Sequence, residues 1–280
     1  MAALVAAEGF LDFDSSPAPS GSRRRRIRWG RGAVLMLAAV YFLLPMYAAL
    51  KFSLQDINGH FSLSSVAAIP SQPGLGSAFF LSVRLAAVTV VLTMLLMVPT
   101  VIYVHLKLPR FRRVMDVMTI LPIVIPPIVL ILGVLHAAPL WLKSSPYLLS
   151  LVYVILAMPF VYRSLDAGLG ALDVKTLVEA SRSLGAGWVS TMWRVLVPNL
   201  RAALLSASVL TIALVLGEFT MASLDLWETL PVWIVDFDQT NARISTAVAM
   251  LSLIATWLLL SLIVSLDRSH SRRLRRNRDS

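Results

Sequence analysis

The chain has 280 residues, of which 58% are hydrophobic and only 14% are charged, and its mean hydropathy is +0.78. A typical soluble domain carries roughly 25% charged residues, and a globule of this size cannot hide so much apolar surface from water. The composition therefore excludes an ordinary soluble domain and indicates a membrane protein. The net charge of +10 then more often reports topology than nucleic-acid binding. The lack of cysteine excludes disulfides, iron–sulfur clusters and thiol nucleophiles.

The N-terminal segment is rich in Ala, Ser and Pro up to residue 22 and in Arg from there to residue 31. This composition predicts a disordered, basic cytoplasmic tail over residues 1–31. The arginines and the apolar run after them could also be a cleavable signal. Five further apolar runs and the lack of a convincing cleavage site favour an anchor that stays in place.

Six apolar stretches are long enough to cross a bilayer, for which about 20 residues are needed. They lie at 32–52, 77–103, 114–136, 146–163, 202–223 and 244–266. The fourth is short and is interrupted by Pro159. The pattern predicts an all-α polytopic membrane protein with six transmembrane helices over residues 32–266, followed by a basic tail over 267–280.

The distribution of positive charge predicts the orientation of these spans. If the N-terminus is cytoplasmic, the cytoplasmic segments and their edges hold 21 of the 25 lysines and arginines. The outer segments hold only Lys51, Lys143 and Arg243, and Arg84 lies within the second span. This asymmetry is a strong positive-inside signal and predicts that both termini face the cytoplasm.

Motifs for catalysis, cofactors or metals are missing from the sequence. No lysine stands in a Gly-Lys-Ser/Thr phosphate loop, no two histidines form a His-x-x-x-His pair, and no Gly-x-Ser-x-Gly elbow occurs. We therefore expect no enzyme activity, cofactor or metal in this chain, and transport powered by a partner fits better. A secondary transporter that works without ATP remains the alternative, although its internal repeat is not clearly visible.

The most informative segment is the predicted cytoplasmic loop between the fourth and fifth spans, residues 164–201. It contains Glu179-Ala180-Ser181-Arg182-Ser183-Leu184-Gly185, then nine residues, then Val195-Leu196-Val197-Pro198. This pattern resembles the EAA loop of ABC importer permeases, which is Glu-Ala-Ala, three residues, Gly, nine residues and Ile-x-Leu-Pro. Three positions depart conservatively: Ser181, Val195 and Val197. The wider resemblance covers residues 75–266, the permease core, and implies the fold of a type I importer permease.

Local physics predicts the same helical element independently. Asp173 can cap the start of a helix that ends at Leu184, and Gly185 lets the chain turn sharply there. A second helix is predicted from Gly187 to Val197, and Pro198 marks the turn into the fifth span.

The resemblance implies that this element docks into a groove on a cytoplasmic ATPase subunit. Residues implied to carry the coupling are Glu179, Ala180, Ser181, Leu184, Gly185 and Pro198. Of these, Glu179 and Gly185 would shape the element, while Ala180, Ser181 and Leu184 would contact the ATPase. The alternative is an amphipathic interfacial helix with Arg182 and Arg194 on lipid headgroups, but such a helix needs no glycine and proline at these offsets.

Three prolines interrupt the predicted third span: Pro122, Pro126 and Pro127. Each removes a backbone donor, which is tolerated in a bilayer where other helices or a water-filled cavity satisfy the freed carbonyls. The third span is therefore predicted to lie near the translocation path. A kink needed only for packing is the alternative.

Glu218 is a carboxylate well inside a predicted span, the fifth. Intramembrane ionisable groups are costly, which points to a functional role. Glu218 could attract a cationic solute or hold two helices together by hydrogen bonds. Arg84 could pair with it, or extend outward to the membrane surface.

The predicted outer loop before the last span is acidic. It carries Asp225, Glu228, Asp236 and Asp238 against Arg243 alone. An acidic vestibule would concentrate cations, whereas a solvated loop without function is the commoner explanation for surface charge.

Two further stretches, 121–127 and 229–234, resemble permeases of polyamine, ferric-iron, sulfate/thiosulfate and molybdate importers, the second being most like the spermidine/putrescine type. Such importers imply a second permease subunit, a dimer of cytoplasmic ATP-binding subunits and an extracytoplasmic solute-binding protein at the bacterial inner membrane. The acidic outer loop and Glu218 favour a polyamine cargo, with iron, sulfate/thiosulfate and molybdate as alternatives.

Overall fold

A computed structural model of the chain describes residues 22–56 and 58–276. These residues are largely helical and contain no strand, only one isolated antiparallel bridge between Gln55 and Phe61. The contacts divide the chain into two compact units, the first ending at Ala48 and the second beginning at Ala49. The prediction of an all-α polytopic membrane protein is confirmed.

The first unit contains most of helix α1, Ser22–Ser53. The helix begins ten residues before the predicted span, so residues 22–31, assigned by sequence to a disordered tail, are helical. Arginine is a good helix former, and a run of arginines therefore does not end a helix. From Gly32 onward the helix is apolar and long enough to cross a membrane, and its apolar side chains are exposed. Residues 1–21 lie outside the described part.

The second unit contains nine further helices that the description below uses. They are α2 (Leu75–Lys107), α3 (Arg112–Val124), α4 (Pro127–Ala137), α5 (Tyr147–Gly170), α6 (Val174–Ser183), α7 (Trp188–Asn199), α8 (Arg201–Leu216), α9 (Thr220–Leu224) and α10 (Leu230–Arg276). Short helical turns occur at Ser64–Ala67, Ile69–Ser71, Pro109–Phe111 and Leu140–Lys143.

Four helices are long and apolar enough to cross a membrane: α1, α2, α5 and α10. Two bent pairs, α3 with α4 and α7 with α8, bring the number of spans to six if each pair counts as one. The predicted third span is thus not a single straight helix, and the predicted fifth span, 202–223, consists of α8, a break at residues 217–219 and α9. Helix α10 continues to Arg276, so residues 267–276 of the predicted C-terminal tail are helical as well.

The last span also starts earlier than its sequence predicts. Helix α10 begins at Leu230 rather than near residue 244, so that Asp236 and Asp238 lie on a helix and not in a loop. A kink at Asn241 (φ −150°, ψ 90°) separates the two parts of α10. The side-chain oxygen of Asn241 accepts a hydrogen bond from the Ile244 amide at 3.2 Å, which caps the second part.

Helix α5 lies at the centre of the second unit and is the most buried of the four long apolar helices. Its buried side chains join two apolar clusters. One contains Val101, Val161, Leu165, Leu196 and Ala207, and the other contains Leu85, Ile131, Tyr153, Val215 and Met221. The helix that was hardest to recognise from sequence therefore holds α2, α4 and α8 together.

Gly168 allows α5 and α8 to approach closely. A Cβ atom at this position would lie 2.6 Å from the Ala203 Cβ and 3.1 Å from a Leu200 methyl group. The Ala203 methyl group cannot move away by a change of rotamer. A Cβ atom at residue 168 would therefore push the two helices apart.

We predict that Gly168→Ala lowers the stability of the protein by about 1–3 kcal/mol, the usual cost of overpacking. Thermal unfolding of the purified protein measures this effect. The matched control is Gly133→Ala in α4, where a Cβ would meet nothing within 4 Å and the helix propensity improves. Equal behaviour of the two variants would contradict the close packing.

Candidate functional site

The segment between α5 and α8, residues 171–200, forms a helical hairpin that we call the helical loop. Its first helix, α6, begins at the cap residue Asp173, whose carboxylate accepts hydrogen bonds from the Thr176 hydroxyl at 2.8 Å and the Thr176 amide at 3.3 Å. These hydrogen bonds hold the pKa of Asp173 below its ordinary value. The cap predicted from sequence is confirmed.

Helix α6 ends in the glycine turn that the sequence predicts. Gly185 has φ +81°, the left-handed conformation that glycine adopts without strain. The Gly185 amide donates to the Arg182 carbonyl at 2.9 Å, and the Ala186 amide donates to the Ser181 carbonyl at 3.1 Å. This pair of bonds is the Schellman arrangement, and it satisfies two of the free carbonyls at the end of α6.

The second helix of the loop, α7, contains a single π-helical stretch, Met192–Leu196. Pro198 has no amide hydrogen and cannot bond to the carbonyl one turn earlier, so the regular helical pattern cannot run through this region. At Leu200 the chain bends by 75° from α7 into α8. The prediction that Pro198 precedes a turn into the fifth span is confirmed.

A hydrogen bond between two hydroxyls joins the helices of the loop. The Ser181 and Thr191 Oγ atoms lie 2.9 Å apart, and both residues are buried. The expectation that Ser181 faces a partner subunit is therefore wrong for its side chain, which lies between α6 and α7. A small polar residue here is explained by contact within the loop.

The other predicted coupling residues lie on the surface of the loop. Glu179 and Ala180 are exposed, and Leu184 is 88% exposed. Sequence analysis missed three neighbours, which are exposed apolar residues: Trp188, Val189 and Trp193. The sequence did carry a signal for this surface, because two tryptophans lie in a predicted cytoplasmic loop. Exposed aromatic clusters are typical of binding surfaces.

The predicted third span is broken at its prolines. Pro122 lies within α3, the residues Ile125 and Pro126 are extended, and Pro127 begins α4 at an angle of 96°. A residue before proline disfavours the helical conformation, and proline suits the first turn of a helix, so this sequence both ends α3 and begins α4. Most side chains near the break are exposed, among them Val124 and Ile125.

Glu218 lies in the break between α8 and α9 rather than inside a helix. Its carboxylate accepts hydrogen bonds from the Tyr153 hydroxyl at 3.0 Å, the Met221 amide at 2.9 Å and, more weakly, the Ala222 amide at 3.4 Å. Two free amides at the start of α9 and a buried tyrosine of α5 thus share one acceptor. The carboxylate joins α5 to α9, which leaves it little capacity to bind a solute.

Arg84 makes a different contact from the one considered in the sequence analysis. Its guanidinium lies over the ring of Tyr147, 5.3 Å from the centroid. No ion pair between Arg84 and Glu218 occurs among the described residues.

The predicted acidic outer loop is shorter than its sequence suggests. Asp225 is half-buried, and burial raises its pKa to about 6. Leu226 follows with φ +59° and is almost fully exposed. Because Asp236 and Asp238 lie on α10, only Asp225 and Glu228 remain in the connection itself.

A cavity of about 590 Å³ lies between α3, α5 and α8. Its walls are mainly apolar and include Ile120, Ile123, Phe160 and Leu210. The polar groups that line it are Arg163, Ser164 and Ser206. Residues of the broken third span and of the first half of the fifth line this cavity. These are the two spans to which the sequence analysis assigned candidate path residues.

Ion pairs tie α3 to α5 beside this cavity. The Arg112 guanidinium lies 2.7 Å from the Asp166 carboxylate, and the His105 ring lies 3.8 Å from the same oxygen. Arg163 and Asp116 form a looser pair at 3.6 Å. Among the residues the structure describes, no group of three or more His, Asp or Glu side chains is placed to hold a metal ion.

Comparisons with known proteins agree with this geometry. Residues 74–276 match the family model described as "binding-protein-dependent transport system inner membrane component". A solved bacterial ABC transporter that imports the acidic polysaccharide alginate contains a chain with the same fold, with a TM-score of 0.65 and 17% identity over 89% of this chain and 99% of that one.

Three curated relatives are also similar to the chain. The molybdenum transport permease ModB of Mycobacterium tuberculosis is 31% identical over 54% of this chain and 62% of its own length, less than two thirds of that relative. A probable molybdenum ABC transporter permease of Haloferax volcanii is 32% identical, covering 73% of this chain and 78% of the relative. A probable sulfate permease, cysT, of Nephroselmis olivacea is 29% identical, covering 74% and 78%.

The contacts of Glu218 predict a structural role for its carboxylate. We expect Glu218→Ala to lower stability by about 1–3 kcal/mol, because it leaves buried donors unsatisfied, and Tyr153→Phe to cost about 1 kcal/mol. Glu218→Gln should cost less than Glu218→Ala, since one acceptor oxygen remains. Thermal unfolding measures the stability of all three variants. The control is Asp238→Asn, which changes an exposed carboxylate. A loss of transport without a loss of stability in Glu218→Ala would instead favour a solute-binding role.

Proposed function

The chain belongs to the family of binding-protein-dependent transport system inner membrane components, and we propose on this premise that it is the permease subunit of an ATP-driven importer of small solutes. The observation that carries the proposal is the helical loop, a rigid hairpin with exposed apolar tips between two apolar helices. Such an element can be held by another protein and can pass its movement to α5 and α8. Energy then comes from a separate ATP-binding subunit, since no phosphate loop occurs in this chain.

The loop residues divide into two roles under this proposal. Leu184 and Ala180, with the exposed Trp188, contact the ATP-binding subunit. Gly185 and Pro198 shape the turns at the two ends of the coupling surface. Ser181 stiffens the hairpin through its bond to Thr191, and Glu179, which is exposed on α6, lies beside the contact surface. A rigid hairpin transmits displacement better than a flexible loop does.

The proposal implies three partners: a dimer of cytoplasmic ATP-binding subunits, a second permease subunit and an extracytoplasmic solute-binding protein. It also places the chain in the bacterial inner membrane with both termini in the cytoplasm. The positive-inside distribution of charge supports this orientation. Family membership favours this mechanism over that of an ATP-independent secondary transporter.

For the cargo, we propose a small tetrahedral oxyanion such as molybdate or sulfate. The curated relatives carry the names of molybdenum and sulfate systems, which supports this alternative and not the polyamine expectation. The contacts point the same way. Glu218, the main reason to expect a cation, is engaged by Tyr153 and backbone amides.

The break between α3 and α4 supports a path beside these helices. Irregular backbone at membrane depth is tolerated where it is buried in protein or lines a water-filled cavity. Pro122, Pro126 and Pro127 create such a stretch, and the cavity between α3, α5 and α8 lies next to α3. Movement of α3 relative to α8 would then open and close the path, with Glu218 bracing the outer end of the fifth span.

The coupling proposal predicts the outcome of crosslinking in this cysteine-free chain. A cysteine at Leu184 should crosslink efficiently to a cysteine in the facing groove of the ATP-binding subunit, because this side chain is 88% exposed. The matched control is a cysteine at Ser181, three residues away but buried, which should crosslink poorly. If the Leu184 position never crosslinks in the assembled complex, the loop does not contact that subunit.

The cargo proposal predicts selective uptake by the complete importer in vesicles. With its binding protein and ATP present, the complex should accumulate molybdate or sulfate and should leave labelled spermidine outside. Omission of ATP should abolish the uptake, which separates an ATP-driven importer from a secondary transporter. Accumulation of spermidine without either oxyanion would restore the polyamine assignment.

A further inference from the structure

We propose that Arg163, with Ser164 and Ser206, forms an anion subsite in the cavity between α3, α5 and α8, and that the transported oxyanion passes through it. This inference rests on the proposed function, because it assumes an oxyanion cargo. It adds a site on the permease itself, formed by residues that the sequence analysis did not connect.

The first argument is the place of the polar groups in the cavity. Arg163, Ser164 and Ser206 come from two helices, α5 and α8, and line the same space among apolar neighbours. Ser164 and Ser206 both line this space, and a serine hydroxyl carries a donor that can face a ligand. A guanidinium and hydroxyl donors are the groups that bind tetrahedral oxyanions in proteins.

The second argument compares the charges of Arg163 and its neighbour Arg112. Arg112 is compensated by a tight ion pair, 2.7 Å from Asp166. Arg163 lies 3.6 Å from Asp116, beyond a good hydrogen bond, and its side chain is 60% exposed. Exposed ion pairs at this separation are weak, so Asp116 neutralises Arg163 only in part. Arg163 is therefore the cation whose charge reaches the cavity.

The third argument is the size of the cavity. Its volume of about 590 Å³ corresponds to roughly 20 water molecules at their share of liquid volume. A tetrahedral dianion fits with much of its hydration shell, which avoids the large cost of dehydrating it. Conduction requires binding that is favourable enough for entry and weak enough for release. A single, partly neutralised arginine among mainly apolar walls can meet both conditions, because it offers one weakly compensated charge.

The nearby ion pair explains how the subsite can depend on conformation. Asp116 lies on α3 and Arg163 on α5, so any movement between these helices changes their separation. When they part, the positive charge of Arg163 is released to the cavity. When they close, Asp116 competes with the anion and favours its departure.

Uptake of molybdate and sulfate by the complete importer in vesicles tests the subsite. Arg163→Gln should reduce uptake about tenfold, and Arg163→Lys should restore most of it. Asp116→Asn should tighten the binding of molybdate, because it removes the competing carboxylate, and should reduce uptake less than Arg163→Gln does. The matched control is Arg113→Gln, an exposed arginine of α3 that does not line the cavity, and it should stay within about twofold of the wild type.

Two outcomes would overturn the subsite while the proposed function stands. Arg163→Gln could transport as well as Arg113→Gln, or Asp116→Asn could lose as much transport as Arg163→Gln, which is the result expected if the ion pair only holds α3 on α5. A wild-type complex that imports neither oxyanion overturns the proposed function and the subsite with it.

A phospholipid headgroup also carries a tetrahedral phosphate and must be distinguished from the cargo. In phospholipid-free detergent, added molybdate should raise the unfolding temperature of the wild-type complex and should do so much less for Arg163→Gln. A rise with anionic phospholipid but none with molybdate would assign Arg163 to the lipid and overturn the proposal.

Discussion

The unpaired backbone groups at each helix break are the constraint on which the rest of this structure depends. Lipid offers these groups no hydrogen bonds, so each break must be satisfied by protein or by water in a cavity. The third span breaks at Ile125 and Pro126, and the fifth breaks at Gly217 to Phe219. At the second break, the Glu218 carboxylate supplies the missing acceptors. The costly intramembrane carboxylate is thus explained by the backbone it serves.

Helix α5 is central because it supports the region around both breaks. Near one end, the Tyr153 hydroxyl donates to Glu218 and holds the break of the fifth span in place. Near the other end of α5, Asp166 and Arg163 form ion pairs with residues of α3. The chain then continues from α5 into the helical loop. Under the proposed function, one buried helix would therefore transmit a displacement of that loop to both spans that border the cavity. Contiguous packing of this kind is the physical basis of coupling between distant sites.

Local features of this chain could be predicted from sequence, whereas features that depend on tertiary contacts could not. Asp173 and Gly185 act within their own turn, so their cap and turn followed from residue type and spacing. The burial of Ser181 depends on Thr191, ten residues away, and the central position of α5 depends on four other helices. Polar side chains that face protein make α5 less apolar than a lipid-facing helix, which is why it was the least clear span in the sequence.

The proposed cargo differs from the one expected from sequence because it, too, depends on tertiary contacts. A count of charged residues treats every carboxylate as available to a solute, and by that count the outer face favours a cation. Availability depends on partners: Glu218 is held by a tyrosine and two amides, so its charge is committed to contacts within the protein. Arg163, which the count assigned only to topology, lines a cavity with an incompletely paired charge. In a membrane transporter, then, the sign of the cargo cannot be read from a count of charges, because it depends on which charges remain unpaired along the path.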